Sequence, residues 1–279
     1  MKYLIVGARG QLGREFVKAL PEAYALGKEE LDVTNFGKVL EVMRALRPDV
    51  VINCSAYNYV DRAEEEFERA YVVNSLGPMY LAIACREIGA FLVHFSTDYV
   101  FDGEKTAPYT EEDRPNPLSK YALSKYLGER NVESVLEGKY LIFRTSWVYG
   151  EGRQNFLYKL RQWAEGSECV RVACDEFSVP TSTRTIVEVT LLAIKAGLTG
   201  LYHLVNSSYA SRYEWAKEYF RIAGIKKFIY PAYQHEFNLP ARRPKWSVMS
   251  NEEISRNLSI NIRTWKEELE LAIKNMRTQ

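Results

Sequence analysis

Short apolar runs alternate along the chain with longer stretches in which apolar residues recur at helical spacing. The runs predict strands at Tyr3–Val6, Ala23–Leu26, Val50–Asn53, Phe91–Ser96 and Tyr140–Arg144. In the stretches between these runs, apolar residues at helical spacing predict helices from after Gly13 to about residue 20, at about 36–46, at 64–88 with a break near Gly77, and at 119–136. The strand runs do not alternate with polar residues, which is typical of strands that helices cover on both faces. The sequence therefore predicts an α/β fold built on a doubly wound parallel sheet.

The alternation becomes less regular after Gly150. Two more apolar runs, Val170–Ala173 and Leu201–Val205, predict strands, and helical spacing recurs over residues 156–164, 185–196, 211–223 and 263–276. We expect residues 1–150, with about 178–206, to form the sheet domain. We expect about 151–177 and 207–279 to form a smaller C-terminal domain packed against it.

Composition excludes several classes of protein. The 279 residues carry 37 Lys and Arg against 36 Asp and Glu, a net charge of +1, which argues against nucleic-acid binding through a strongly basic surface. No apolar run reaches the roughly 18 residues that a membrane span requires, so we expect no membrane association. The strand predicted from Tyr3 leaves no room for a signal peptide, so we expect a cytoplasmic protein. The four cysteines include no C-x-x-C pair and the three histidines are scattered, so no metal ligands are assigned.

Three glycines, Gly7, Gly10 and Gly13, follow the first predicted strand at three-residue spacing and open the first predicted helix. Glycine permits the tight turn there and lets backbone N–H groups approach a pyrophosphate at the helix N-terminus. In this strand–loop–helix context the spacing predicts dinucleotide binding on a Rossmann-type sheet, in preference to a plain tight turn.

The choice of dinucleotide depends on the charges after the second predicted strand. NAD-binding proteins usually place an acidic residue there for the ribose hydroxyls. This chain has Lys28 there instead, with Arg9 in the glycine loop, and two cations suit the 2′-phosphate of NADPH. A solvated turn lysine is the other interpretation, and Glu29 and Glu30 weaken the prediction, so NADH stays an alternative. Asp32–Val33 is well placed for adenine contacts.

Tyr121 and Lys125 form a Y-x-x-x-K pair and share one face of a predicted helix. A free tyrosine has a pKa near 10, and a nearby ammonium favours the phenolate, so we expect Lys125 to lower the pKa of Tyr121. The pair alone is weak evidence. Thr97 strengthens it, because ligands bind at the carboxyl ends of strands in open α/β sheets and its hydroxyl can hydrogen-bond the carbonyl that Tyr121 protonates. The segments 55–58 and 144–147 also follow predicted strands.

Several longer motifs carry a resemblance that covers nearly the whole chain. They are GARGQLG (7–13), STDYVFDG (96–103), YALSK (121–125), RTSWVYG (144–150) and ARRP (241–244). With these motifs the chain resembles the extended short-chain dehydrogenases/reductases and, among them, the dTDP-4-dehydrorhamnose reductases. The resemblance implies NADPH-dependent reduction of the C4 ketone of a nucleotide-sugar substrate, dTDP-4-dehydro-L-rhamnose. It also implies a homodimer, with Mg²⁺ at the dimer contact, and a C-terminal domain that binds the substrate.

The predicted site residues combine the reasoning above with roles implied by the resemblance. Tyr121 would donate the proton, supported by Lys125 and Thr97. The cofactor-binding residues would be Gly7, Arg9, Gly10, Gln11, Leu12, Gly13, Lys28, Asp32, Val33, Ala56, Tyr57, Asn58, Tyr121 and Lys125. The substrate-binding residues would be Thr97, Asp98 and Trp147 for the sugar, with Arg242 and Arg243 as a clamp on the diphosphate.

Each of these roles has an alternative. Trp147 could be a core aromatic residue, Asp98 could cap its loop, and Arg242 and Arg243 could be a solvated pair. The protein could also reduce another nucleotide-linked 4-ketosugar. It could instead be a non-catalytic NADP-binding regulatory subunit, similar to the β-subunit of methionine adenosyltransferase. The intact Thr97 and Trp147 favour the enzyme.

Overall fold

The structure, a computed structural model, describes residues 1–277, so residues 278–279 of the predicted C-terminal domain lie outside the described residues. The strands are β1 (Tyr3–Val6), β2 (Tyr24–Leu26), β3 (Val50–Asn53), β4 (Phe91–Thr97), β5 (Tyr140–Thr145), β6 (Val148–Tyr149), β7 (Cys169–Ala173), β8 (Phe177–Ser178), β9 (Thr181–Ser182), β10 (Gly200–His203), β11 (Ala210–Ser211) and β12 (Phe228–Ala232). The α-helices are α1 (Gln11–Ala19), α2 (Phe36–Leu46), α3 (Phe67–Tyr71), α4 (Gly77–Ile88), α5 (Lys120–Val135), α6 (Phe156–Gly166), α7 (Thr183–Lys195), α8 (Arg212–Ala223), α9 (Glu252–Leu258) and α10 (Trp265–Arg277).

A parallel sheet of six strands organises the fold, in the order β10-β5-β4-β3-β1-β2. The chain steps outward from β1 to β2, then returns to the other side of β1 to form β3. The strand order therefore reverses between β1 and β3, where Val6 pairs with Leu26 on one side and Asn53 on the other. The predicted doubly wound parallel sheet is confirmed, and ligands bind at such a reversal in this class of fold.

Helices cover both faces of the sheet, which explains why the strand runs are continuously apolar. Leu4 packs into one layer with Met43, and its neighbour Ile5 packs into the opposite layer with Phe16 and Ile186. Successive strand residues point to opposite faces, so a strand that is buried on both faces needs apolar residues throughout.

The sequence predicted one helical region at 64–88 with a break near Gly77, but the structure has four consecutive helical segments there. They are a 3₁₀ turn, α3, a π-helical segment at Val72–Leu76 and α4. The irregularity precedes Gly77, and Pro78, in the first turn of α4, has no N–H to donate to a carbonyl of the π-helical segment before it. The π-helical segment places the side chain of Asn74 in the interior.

A separate apolar cluster forms around Trp215 from residues of α6, β7, α8 and α10. Trp215 and Trp265 are fully buried there. The chain returns to the main sheet through α7 and β10 before it completes this cluster. The division into two domains stays a prediction. No helix in the described part of the chain is long and apolar enough to cross a bilayer.

The contact between α5 and the π-helical segment gives a prediction about stability. A Cβ atom on Gly128 would lie 2.1 Å from the carbonyl oxygen of Asn74, so Gly128→Ala must push α5 away. We expect a loss of about 1–3 kcal/mol in the free energy of unfolding, as is usual for overpacking, measured by urea denaturation. Gly166→Ala is the matched control, because no atom lies within 4 Å of the added methyl group and φ is not positive there. Equal stability of the two variants would contradict the close contact.

Candidate functional site

A cavity of about 1010 Å³ lies along the carboxyl ends of β1, β3, β4 and β5 and extends to α6, β7 and α8. The loops after all four strands open into it, as the sequence predicted. The predicted site residues in its lining are Gly7, Arg9, Gly10, Gln11, Leu12, Lys28, Asp32, Val33, Ala56, Tyr57, Asn58, Thr97, Asp98, Tyr121, Lys125, Trp147 and Arg243. Gly13 and Arg242 do not line it.

The glycine loop leaves the N-terminus of α1 open to a ligand. Gly7 has φ +73°, and a Cβ atom there would lie 2.8 Å from the backbone nitrogen of Ser55. Gly10 precedes the helix without a side-chain cap, and the first turn contains no acidic residue, so its N–H groups can bind an anion. Gly13 lies beneath the loop, because a Cβ atom there would be 2.3 Å from the carbonyl oxygen of Gly7.

The two cations predicted to bind a 2′-phosphate are both paired with carboxylates. Arg9 forms ion pairs with Glu29, at 3.0 Å, and with Glu30. The Lys28 ammonium lies 3.8 Å from the carboxylate of Asp32. The pairing reduces the net positive charge at this end of the cavity, so it weakens the electrostatic argument for NADPH.

Asn74 joins the loop after β3 to the helix that carries the predicted catalytic pair. Its side-chain oxygen accepts a hydrogen bond from the backbone N–H of Tyr57 at 2.8 Å, and its side-chain nitrogen donates to the Tyr57 carbonyl and to Ser124 Oγ, both at 3.0 Å. Ser124 lies on α5 between Tyr121 and Lys125. The sequence analysis did not single out Asn74, although a polar amide in the largely apolar stretch 70–85 was a usable signal.

Tyr121 and Lys125 are both buried at the cavity wall, but their electrostatics differ from the expectation. Burial raises the pKa of Tyr121 above its usual value, the charges of Asp98 and Tyr99 act in the same direction, and a hydrogen bond with Thr97 opposes them. The predicted lowering by Lys125 is therefore wrong for the protein alone, because burial dominates. Tyr121 keeps its proton at neutral pH.

Lys125 is held by the strand next to its helix. Its ammonium donates a hydrogen bond to the carbonyl oxygen of Phe95 at 2.6 Å. Burial lowers the pKa of Lys125 to about 8, against the opposing charge of Glu129. Lys125 is consequently the buried cation of the catalytic region, with two of its three N–H donors available to a ligand.

Asp98 is turned into the protein, where three hydroxyl groups contact its carboxylate. Ser178 Oγ donates at 2.8 Å, Ser247 Oγ at 2.5 Å and Thr97 Oγ1 at 3.2 Å. Burial raises the pKa of Asp98 to about 6, and these hydrogen bonds oppose the rise. The cap of the short 3₁₀ turn at 98–100 is Thr97, which accepts from the backbone N–H of Tyr99, so Asp98 does not cap its loop.

Trp147 combines the two interpretations open to it, because it packs in the interior and also lines the cavity. Its ring is stacked on Trp215 at 5.6 Å, and the guanidinium of Arg212 lies 4.1 Å from its centre. Arg212 forms an ion pair with Glu176 at 2.8 Å and donates to the hydroxyl of Tyr99 at 3.4 Å. Trp147 adopts φ +40°, a strained value for a residue with a Cβ, and its buried indole N–H has no hydrogen-bond partner in the protein.

Only one of the two arginines of the predicted clamp, Arg243, lines the cavity. Arg243 is largely buried and donates to the carboxylate of Asp61 at 2.7 Å and to the carbonyl of Ala241 at 2.8 Å. Arg242 is exposed and lies outside the cavity lining, in the irregular segment between the 3₁₀ turn at 234–237 and α9. Among residues 1–277, no group of three or more His, Cys, Asp or Glu side chains could hold a metal ion.

Comparisons with known proteins agree with this geometry. The family described as RmlD substrate binding domain matches residues 1–278. A dTDP-4-dehydrorhamnose reductase from Burkholderia thailandensis is 32% identical, with 100% of both chains covered. A crystal structure of a dTDP-4-dehydrorhamnose reductase from Clostridium acetobutylicum is 39% identical, with a TM-score of 0.96 over 99% of this chain and 100% of the other. Another, from Bacillus anthracis in complex with NADP, is 36% identical, with a TM-score of 0.95 and the same coverage.

The raised pKa of Asp98 gives a pH prediction. A pKa of about 6 in the folded protein, against about 4 in the unfolded chain, means that folding favours the protonated form. The stabilisation is complete below pH 4 and is lost as the pH rises through 6. We expect the unfolding free energy of the wild type to fall by about 3 kcal/mol relative to Asp98→Asn over this interval, measured by urea denaturation.

Asp102→Asn is the control, because its effect on the unfolding free energy should depend on pH in the opposite direction. Hydrogen bonds, first from the backbone N–H of Glu104, lower the pKa of Asp102. The wild type should therefore gain stability relative to Asp102→Asn as the pH rises from about 3 to 5. A pH-independent difference between the wild type and Asp98→Asn would contradict the burial of an ionisable Asp98.

Proposed function

Because the chain belongs to the family of the RmlD substrate binding domain, whose curated relatives include dTDP-4-dehydrorhamnose reductases, we propose that it catalyses the NADPH-dependent reduction of dTDP-4-dehydro-L-rhamnose to dTDP-L-rhamnose. The observation that carries the proposal is the meeting of Tyr121, Lys125 and Thr97 at one end of a cavity whose other end is the glycine loop. A proton donor and a dinucleotide site must face one cavity for a ketone to be reduced there.

The residues of the glycine loop fit a nicotinamide cofactor. The uncapped N–H groups of α1 and the absence of a side chain at Gly7 and Gly10 leave space and hydrogen-bond donors for a pyrophosphate. The loop after β3, fixed by Asn74, would form the neighbouring wall, and Lys125 would donate to a ribose hydroxyl. When bound, the cofactor supplies the hydride for the ketone carbon.

Tyr121 would provide the proton that the ketone oxygen requires. A reductase needs this residue protonated before the reaction, and a phenol whose pKa lies at or above its ordinary value near 10 is neutral at pH 7. Thr97 would donate a second hydrogen bond to the same oxygen by turning its single O–H proton away from the Asp98 carboxylate. Its hydroxyl touches the Asp98 carboxylate, which is fixed by Ser178 and Ser247, so the end of β4 is preorganised.

The aromatic wall beside this site suits a deoxysugar. Trp147, whose ring contacts Trp215 and Arg212, would offer the part of its indole that lines the cavity to the ring and its methyl group. The left-handed backbone conformation of Trp147 supports a binding role, because such strain persists where the surrounding structure compensates for it. The homodimer, the bound Mg²⁺ and the cytoplasmic location stay predictions.

The role of Tyr121 is tested by Tyr121→Phe, which removes one oxygen atom and keeps the ring. We expect kcat to fall at least 10²- to 10⁴-fold, the usual contribution of a general acid, with Thr97→Val less severe. NADPH oxidation in the presence of dTDP-4-dehydrorhamnose measures the rate. Tyr126→Phe, on the same helix but outside the cavity lining, is the matched control and should leave kcat unchanged.

Two results would separate the parts of this proposal. A wild-type protein that binds NADPH but oxidises none of it with any nucleotide-linked 4-ketosugar would favour the regulatory subunit. An active wild type with an equally active Tyr121→Phe would keep the reaction and remove the assigned proton donor.

The preference for NADPH over NADH is tested at Arg9. We expect tighter binding of NADPH at low salt, with a difference that shrinks as salt rises, because the 2′-phosphate competes with Glu29 and Glu30 for the guanidinium. Arg9→Ala should remove most of the difference, whereas Glu30→Gln should enlarge it. Dissociation constants measured by fluorescence titration decide the point, and equal values for both dinucleotides at low salt would contradict it.

A further inference from the structure

A buried ion pair between Glu129 on α5 and Arg144 on β5 has no role in the proposed reaction as described so far. The two side chains are 1% and 5% exposed. Arg144 Nε donates to Glu129 Oε1 at 3.0 Å and Arg144 Nη2 donates to Oε2 at 2.7 Å, so the pairing is bidentate. Neither residue lines the cavity, so neither is placed to contact a ligand bound there.

Stability alone is a poor explanation for a buried ion pair. Taking two charges out of water costs free energy that their mutual attraction only offsets, and apolar residues of similar volume often stabilise a protein as well or better. The effect of the two charges on a neighbouring group is a better explanation for the Glu129–Arg144 pair.

The neighbouring group is Lys125. Tyr121, Lys125 and Glu129 follow one another at four-residue spacing on the buried face of α5. Lys125 is 3% exposed, and its ammonium donates to the carbonyl of Phe95, which is a neutral acceptor. Burial lowers the pKa of Lys125 to about 8, and the charge of Glu129 opposes this effect. Glu129 therefore provides Lys125 with the negative charge that the strand carbonyl does not supply.

Other titratable groups on the elements around α5 do not take over this role. Burial lowers the pKa of His94 on β4 well below its usual value and raises the pKa of Tyr99, so both rings are neutral at pH 7. The carboxylate of Asp98 is turned into the protein, toward two serine hydroxyls. Arg144 is itself a cation. The charged side chains of the 3₁₀ turn at 62–64, α3 and α4 are not buried: Arg62, Glu64, Glu68, Arg69, Arg86 and Glu87.

We propose that Glu129 is a positioning residue of the cofactor site, whose buried carboxylate, fixed by Arg144, keeps Lys125 charged. The inference rests on the proposed function, in which the Lys125 ammonium donates to a ribose hydroxyl of the cofactor. A neutral amine has one N–H donor fewer, and its hydrogen bonds are weaker than those of an ammonium. Loss of the charge on Lys125 would therefore weaken cofactor binding, although Glu129 never touches the cofactor.

The test measures the dissociation constant of NADPH by fluorescence titration between pH 6 and 10. Wild-type affinity should fall as the pH rises through the midpoint at which Lys125 loses its proton. Glu129→Gln keeps the shape of the side chain and removes its charge, so the midpoint should fall by about 1 pH unit, as is usual for the loss of an opposite charge. Above both midpoints the variant should bind NADPH about 10-fold more weakly, and the two affinities should converge toward pH 6.

Two variants distinguish the charge of Glu129 from its packing. Glu129→Asp shortens the side chain but keeps the charge, so it should keep the midpoint of the wild type. A merely structural role would instead weaken binding at every pH and make Glu129→Asp the more harmful change. Glu133→Gln is the matched control, because Glu133 lies one turn farther along α5 and pairs with Arg130, and it should not move the midpoint.

A double variant tests the inference even if Glu129→Gln alone does not fold. Glu129→Gln combined with Arg144→Gln removes both buried charges and leaves neither uncompensated. The midpoint should still fall, because Glu129 is the partner whose charge acts on Lys125.

The outcomes separate this inference from the proposed function. If the wild type reduces the nucleotide sugar but the removal of Glu129's charge does not move the midpoint for NADPH, the inference is overturned and the proposed function stands. If the wild type reduces no 4-ketosugar but the midpoint falls, the proposed function fails and the role of Glu129 stands. An NADPH affinity of the wild type that is constant up to pH 10 also overturns the inference. A wild type that binds no NADPH overturns both.

Discussion

The close approach of two loops at the reversal of strand order is the constraint on which the site depends. The loop after β1 comes so near the loop after β3 that a Cβ atom at Gly7 would meet the backbone of Ser55 and Cys54 within 2.9 Å. The glycine therefore sets the distance between the two loops and, with it, one wall of the cavity. Asn74 then fixes the second loop against α5, so that the cofactor loops and Tyr121 belong to one rigid arrangement.

The parts of this arrangement that follow from local sequence were predictable. Apolar runs located the strands, and a parallel sheet brings the ends of its strands to one edge, so the convergence of segments near Gly7, Thr97 and Trp147 followed from their positions. Helical spacing likewise placed Tyr121 and Lys125 on one face of α5. These properties depend on neighbours a few residues away, which a single sequence displays directly.

The rest depends on partners that are distant in sequence. Glu176 and Arg212 meet across 36 residues, and no residue spacing predicts that contact. The direction of the pKa shift of Tyr121 depends on the total burial of the side chain, which no residue spacing encodes.

The hydrogen bonds to Asp98 also have a consequence for the order in which the newly made chain becomes functional. The hydroxyl of Ser247 reaches this carboxylate across 149 residues of sequence. A ribosome completes the glycine loop and the helix with Tyr121 long before Ser247 emerges, and until then the carboxylate lacks one of the donors that make its burial tolerable. The Asp98 carboxylate therefore has its full set of hydrogen-bond donors only when residues near the end of the chain are in place.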